Sequence, residues 1–297
     1  MLRDRRAAIT VALIAVLWGS VGVVVRQVEL PAVALVSARI WIAAPALTIF
    51  LRGTGRMQSW PGKPTKLLVL NGVVLAAHWV SFIAALQRAP IGTVLLITYL
   101  APVGIAAFAP AFLGEVVPVR TKAALAVAVL GIGLIAAPAM DGASADGIVL
   151  AFITGALYVP LALLNKALSD THGGVELALY QLLVAGAVLL PFSLLADWGT
   201  PHLDWLWLVV LGVIYTAFAF AAYLDSLMHL PATRAAVLLY LEPASAVVFG
   251  WLVLHEDPTA SMLVGGLLVV GAGILVVKEP APADLPLAID EVTDAAG

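Results

Sequence analysis

The chain has 297 residues, 63% of them hydrophobic and 11% charged, with a mean hydropathy of +1.08. No soluble globular domain needs that much apolar surface, and the absence of cysteine removes disulfides and thiolate chemistry. The net charge of −3 matters less than where the charges lie.

Apolar stretches of about 20 residues are long enough to cross a bilayer core of about 30 Å. Ten are present, at residues 7–25, 32–51, 67–86, 91–113, 119–138, 147–165, 175–196, 205–227, 232–254 and 259–277. They consume most of the chain and predict an all-α integral membrane protein with ten transmembrane helices. With a cytoplasmic N-terminus, the cytoplasmic side carries Arg3, Arg5, Arg6, Arg52, Arg56, Lys63, Lys66, Arg120, Lys122, Lys166, Arg234 and Lys278. The opposite side carries only Arg26 and Arg88, so both termini are predicted cytoplasmic.

The first span follows Arg3, Arg5 and Arg6 as a signal peptide would, but it is long. It runs into Trp18-Gly19-Ser20 without a small-residue cleavage site, so it reads as a retained helix. Polar groups inside a span are costly unless they face protein or water, which makes each a site candidate. Arg39, in the second span, is the only strongly basic residue deep within a span; it can hold a substrate carboxylate or cap helix carbonyls. The third span contains His78-Trp79-x-Ser81-Phe82. His78 shares a helix face with Ser81 and Phe82. An imidazole beside an aromatic wall suits a carboxylate or an aromatic ring, and equally a packed histidine bonded to a carbonyl.

The fourth span holds Tyr99 and Pro102, and ends at Glu115 before Pro118; the fifth contains Gly131-Ile132-Gly133, which reads as close helix packing. Tyr158 and Asn165 share a face of the sixth span. In the eighth, Tyr215 and Phe218 share a face, with Tyr223 further round. The ninth span holds Tyr240, Glu242 and Pro243, and Glu242 is the sole carboxylate deep in a span. Glu242 can bind a substrate ammonium, carry a coupled proton or pair structurally. Each proline removes a backbone donor and frees a carbonyl one turn earlier, predicting hinges at Pro102 and Pro243. Glu256 ends the ninth span, and Asp257-Pro258 predicts the N-cap of the tenth. Gly271-Ala272-Gly273 within the tenth span reads as packing, Trp60, Trp198, Trp205 and Trp207 as interfacial anchors, and Glu279–Gly297 as a disordered cytoplasmic tail.

The second half of the chain repeats the first. Residues 85–115 align without gaps to 226–256 with eight of 31 positions identical, among them Pro90/Pro231, Tyr99/Tyr240, Pro102/Pro243 and Glu115/Glu256. Five spans per half is an odd number, so the halves, 1–138 and 139–278 ahead of the tail at 279–297, enter the membrane in opposite senses. Inverted repeats are the structural logic of alternating access.

Ten helices in two five-helix halves, each with a Tyr-Leu-x-Pro segment and a Glu before the last helix, resemble the EamA type of the drug/metabolite transporter superfamily. Trp18-Gly19-Ser20, Arg39, Leu241-Glu242-Pro243 and Glu256 fit the same resemblance, which covers residues 7–277. Within it, the chain is similar to the YddG-type aromatic amino-acid exporters. The resemblance implies a bacterial inner membrane and a cavity surrounded by helices 1, 3, 4, 6, 8 and 9, with 5 and 10 peripheral.

The leading expectation is a secondary transporter exporting amino acids, aromatic or large neutral ones first, and related small metabolites. Its candidate substrate-binding residues are Trp18, Ser20, His78, Trp79, Phe82, Tyr99, Tyr158, Tyr215, Tyr240 and Glu242. The alternative within the class is drug or other metabolite efflux. No nucleotide-binding loop, H-E-x-x-H or G-x-S-x-G is present, so neither ATP drive nor an intramembrane enzyme is expected. No catalytic residue, metal, cofactor or nucleic-acid partner is predicted. Lipid and small molecules are the expected partners, and the oligomeric state is left open, a monomer included.

Overall fold

The computed structural model describes residues 2–25, 27–55, 65–137, 144–199, 204–255 and 257–277. All regular structure among them is helical: α1 (Leu2–Gly19), α2 (Val21–Val25), α3 (Ala32–Gly53), α4 (Thr65–Leu86), α5 (Ile91–Thr98), α6 (Ala101–Leu113), α7 (Val119–Ala136), α8 (Ala145–Ser169), α9 (Gly174–Leu194) and α10 (Asp204–Val210). A π-helix (Leu211–Phe218) follows, then α11 (Ala219–Leu227), α12 (Ala232–Leu239), α13 (Leu241–Leu254) and α14 (Ala260–Val277). Arg26, Trp60, Glu256 and the predicted tail lie outside the described residues.

Among the described residues, nine stretches are long and apolar enough to cross a membrane. The remaining expected span, the fifth, is α7, whose uninterrupted apolar run starts only after Arg120 and Lys122. Large apolar side chains such as Leu190, Leu194, Trp251, Leu263 and Leu267 stand exposed around the bundle, as lipid-facing surface requires. Trp205 is exposed at a span end and Trp207 half-buried, while the Trp198 indole N–H donates to the Ser193 carbonyl at 2.8 Å.

Four expected spans are not continuous α-helices. The first turns at Ser20, between α1 and α2. The fourth breaks at Tyr99-Leu100 and the ninth at Tyr240, in each case just ahead of a proline that cannot donate to the preceding turn. The eighth widens into the π-helix, where Thr216 Oγ1 donates to the Leu211 carbonyl five residues back. No proline or charge marks this widening, so the sequence gives no warning of it.

Close approach depends on small residues. A Cβ at Gly19 would overlap the Ser245 side chain, so glycine lets α1 lie against α13. A Cβ at Gly131 would stand 2.7 Å from the Gly265 carbonyl, which identifies the crossing of α7 and α14. Of the glycines expected to pack, Gly133 and Gly271 face open space, whereas Gly265 is indispensable to the contact. The α14 N-terminus also differs from expectation. Thr259, not Asp257-Pro258, caps it, with Oγ1 accepting the Met262 N–H at 3.3 Å.

Candidate functional site

The two broken spans meet where the sequence repeat is strongest. At the end of α5, the Tyr99 N–H donates to the Leu95 carbonyl at 2.8 Å, and beyond the break the Val103 N–H turns to the Leu100 carbonyl at 3.0 Å. The Tyr99 carbonyl thus loses its helical donor, and the Tyr240 hydroxyl supplies one at 2.8 Å. The Tyr99 hydroxyl donates to Glu242 Oε2 at 2.5 Å. The two tyrosine rings, repeat mates by sequence, lie 5.6 Å apart between centroids. Repeat-mate helix breaks are therefore bonded to each other, and the one deep carboxylate belongs to this junction.

A cavity of about 310 Å³ opens beside the junction. Trp18 and Gly19 of α1, Phe82 and Leu86 of α4, and Leu95 of α5 form apolar wall. Glu242, Pro243 and Val247 of α13 complete it, and the cavity rises to Pro90, Asp257 and Met262 at one end of the bundle. Ile135 at the end of α7 and Met262 in α14 also line it, so helices 5 and 10 are not wholly peripheral.

Of the predicted site residues, Trp18, Phe82, Glu242 and Pro243 line this cavity. The others stand behind its wall. Ser20 Oγ shares a 2.5 Å hydrogen bond with the Tyr215 hydroxyl, and the Trp18 indole N–H donates to the Tyr215 carbonyl at 3.2 Å. The Tyr223 ring lies 5.6 Å from that of Trp18, whereas Phe218, predicted on the Tyr215 face, is exposed on the outside. Arg39 Nε donates to Thr216 Oγ1 at 2.9 Å, and the guanidinium lies 4.1 Å over the Trp79 ring. The described residues bring no carboxylate to Arg39. His78 Nδ1 is 3.0 Å from the Thr154 carbonyl, and its ring stacks on Tyr158 at 5.2 Å and Phe82 at 6.3 Å. Asn165 Oδ1 accepts from Asn71 Nδ2 at 3.0 Å and Gln181 Nε2 at 2.7 Å, tying α4, α8 and α9 together by buried amides.

Polar contacts cross-link the opposite end of the bundle, one through Glu115, which the sequence marks as a helix boundary, and others through Arg234 and Lys166, which it marks as cytoplasmic charges. The α6 helix ends on Gly114 at φ 65°, a left-handed turn that swings Glu115 toward α12. Glu115 Oε1 accepts the Ala232 N–H at 2.5 Å, and Oε2 accepts the Thr233 hydroxyl at 3.1 Å. Burial raises the Glu115 carboxyl above its ordinary value, and the donors of Ala232 and Thr233 offset this in part. Arg234, 2% exposed, donates to Asp4 at 3.0 Å and to the Val276 carbonyl at 3.0 Å. Lys166 Nζ donates to the Leu227 carbonyl at 2.9 Å. The identity of Glu115 and Glu256 in the repeat was the available signal for this latch.

Comparison with known proteins places these features in a family. The EamA-like transporter family is matched twice, by residues 5–137 and by residues 145–278. An uncharacterized transporter of Archaeoglobus fulgidus is 30% identical over 93% of this chain and 96% of its own length. The pseudopaline exporter CntI of Pseudomonas aeruginosa is 27% identical over 82% and 86%. A probable terminal-alkyne amino-acid exporter of Streptantibioticus cattleyicolor is 26% identical over 81% and 82%. One solved crystal structure shares the fold, with a TM-score of 0.77 at 18% identity over 92% of this chain and 97% of that one. With both halves matched and a relative of this likeness along nearly its full length, the chain belongs to the EamA-like transporter family and is an integral membrane transporter.

Proposed function

We propose that the protein exports small amphipathic metabolites, amino acids among them, by alternating access between inverted repeats at residues 1–138 and 139–278. Both termini, with the tail at 279–297, lie on the cytoplasmic side of a bacterial inner membrane in this reading. The observation that carries it is the asymmetry of the bundle. A cavity beside Glu242 reaches the Pro90–Asp257 end, while Glu115 and Arg234 bind the other end shut. Under the charge distribution of the sequence, the open end is the outer one, and the described state faces outward. A volume of about 310 Å³ is at the small end of ligand sites, which run from about 300 to 1,000 Å³, and accommodates an aromatic or large neutral amino acid. The names of two relatives, a pseudopaline exporter and a probable terminal-alkyne amino-acid exporter, support export of small metabolites, amino acids among them. The predominantly apolar wall also favours a second reading, efflux of amphipathic drugs.

Flux in proteoliposomes containing the purified protein tests this, with a panel of labelled amino acids, with and without an imposed pH gradient. Saturable flux of aromatic or large neutral amino acids is expected. Flux that persists without the gradient excludes obligatory proton coupling through Glu242. No amino-acid flux under either condition defeats the amino-acid reading and leaves drug or other metabolite efflux.

A further inference from the structure

Resting on that reading, we infer that the cavity recognises the cationic amine of its substrate and discriminates against a free carboxylate, so amphipathic amines are preferred over the matching amino acids. The charged groups on the wall are both acidic among the described residues: Glu242 at the depth of the junction and Asp257 at the mouth. Glu242 has one hydrogen-bonding partner for its carboxylate among the described residues, Tyr99, which occupies Oε2. A carboxylate at membrane depth with no cation beside it is costly, and a ligand ammonium removes that cost.

Among the described residues, the cationic side chains that could have held a substrate carboxylate are committed elsewhere. Arg39 is stacked on Trp79 and bonded to Thr216, off the cavity wall. Arg88 is ion-paired with Asp146 at 3.2 Å, and Arg234 is buried at the closed end on Asp4. His78 faces the Thr154 carbonyl behind Phe82. Among the described residues, a substrate carboxylate in this cavity meets two acidic side chains and no cationic partner, and such repulsion is how a site rejects the wrong ligand. The remaining wall, from Trp18, Phe82, Leu86, Leu95 and Val247, takes the apolar body of the molecule.

The test uses one phenylethyl body carrying an amine, both groups or a carboxylate: 2-phenylethylamine, L-phenylalanine and 3-phenylpropionate. Binding to the purified full chain is followed by tryptophan fluorescence, and counterflow of labelled phenylalanine and phenylethylamine is measured in proteoliposomes. The amine is expected to bind tighter than phenylalanine by about tenfold or more, with no binding of phenylpropionate. Glu242→Gln removes the preference and Glu242→Asp retains it in part. The wild-type series decides the matter even if Glu242→Gln does not fold. Phenylalanine binding as tightly as the amine, or phenylpropionate binding at all, overturns the inference; if phenylalanine counterflow then proceeds, the exporter reading stands without it. Counterflow of none of these compounds counts against the transport reading, while the binding order still decides the inference.

Discussion

The carboxylate of Glu115, from the half matched at residues 5–137, accepts the backbone N–H of Ala232, in the half matched at 145–278. It caps a helix whose first turn has no side-chain cap of its own. Losing an N-cap costs about 0.5–2 kcal/mol, so Glu115→Ala is expected to widen this end of the bundle. The chain has no cysteine, so spin labels at Val116→Cys and His229→Cys, both exposed, report the change as a longer distance.

The same latch responds to pH. Because burial raises the Glu115 carboxyl above its ordinary value of 4.5, the closed end holds this proton more tightly than an open, solvated end does. The proton-linked gain in closure is full below the ordinary value and lost as pH rises through the raised one. Label distances should shorten as pH falls from neutral toward the ordinary value, and Glu115→Gln should abolish the trend.

Tyr240→Phe leaves the Tyr99 carbonyl without the donor it has at the helix break. Stranding a buried acceptor costs about 1–3 kcal/mol, so the variant should melt at lower temperature than wild type. Tyr99→Phe instead strips Glu242 of its hydroxyl partner and should alter ligand binding as well as stability. Equal effects of the two variants on binding would argue against a specific Tyr99–Glu242 unit.

Pro102→Ala and Pro243→Ala restore a backbone donor at each break and should stiffen the fourth and ninth spans. The expected result is transport slowed more than binding is weakened, read from initial rates against ligand affinity. Unchanged rates would remove both prolines as hinges.

The helix ends at Gly114 and His255 are repeat mates with φ of 65° and 56°. His255 carries the Cβ penalty of a left-handed conformation that Gly114 avoids, so His255→Gly should raise the thermal midpoint, the penalty of about 1–2 kcal/mol being offset in part by glycine's greater unfolded-state freedom. Gly114→Ala should do the reverse.

The sequence by itself determined the all-helical class of fold, nine membrane-crossing stretches among the described residues to within a few residues, and the pairing of Tyr99 with Tyr240 and Glu115 with Glu256 as equivalents. These follow from one-dimensional constraints: a bilayer needs long apolar helices, and a duplicated segment keeps its scarce residue types. Tertiary structure decided which polar groups meet. It put Glu242 against Tyr99 and on the cavity wall, and turned Arg39 and His78 onto Thr216, Trp79 and Thr154 behind that wall. Periodicity places a side chain on a helix face, but which neighbour faces it depends on helix rotation and crossing. These are set by close contacts such as Gly19 on α13 and Gly131 on Gly265, and by a π-helix that no residue in the sequence announces.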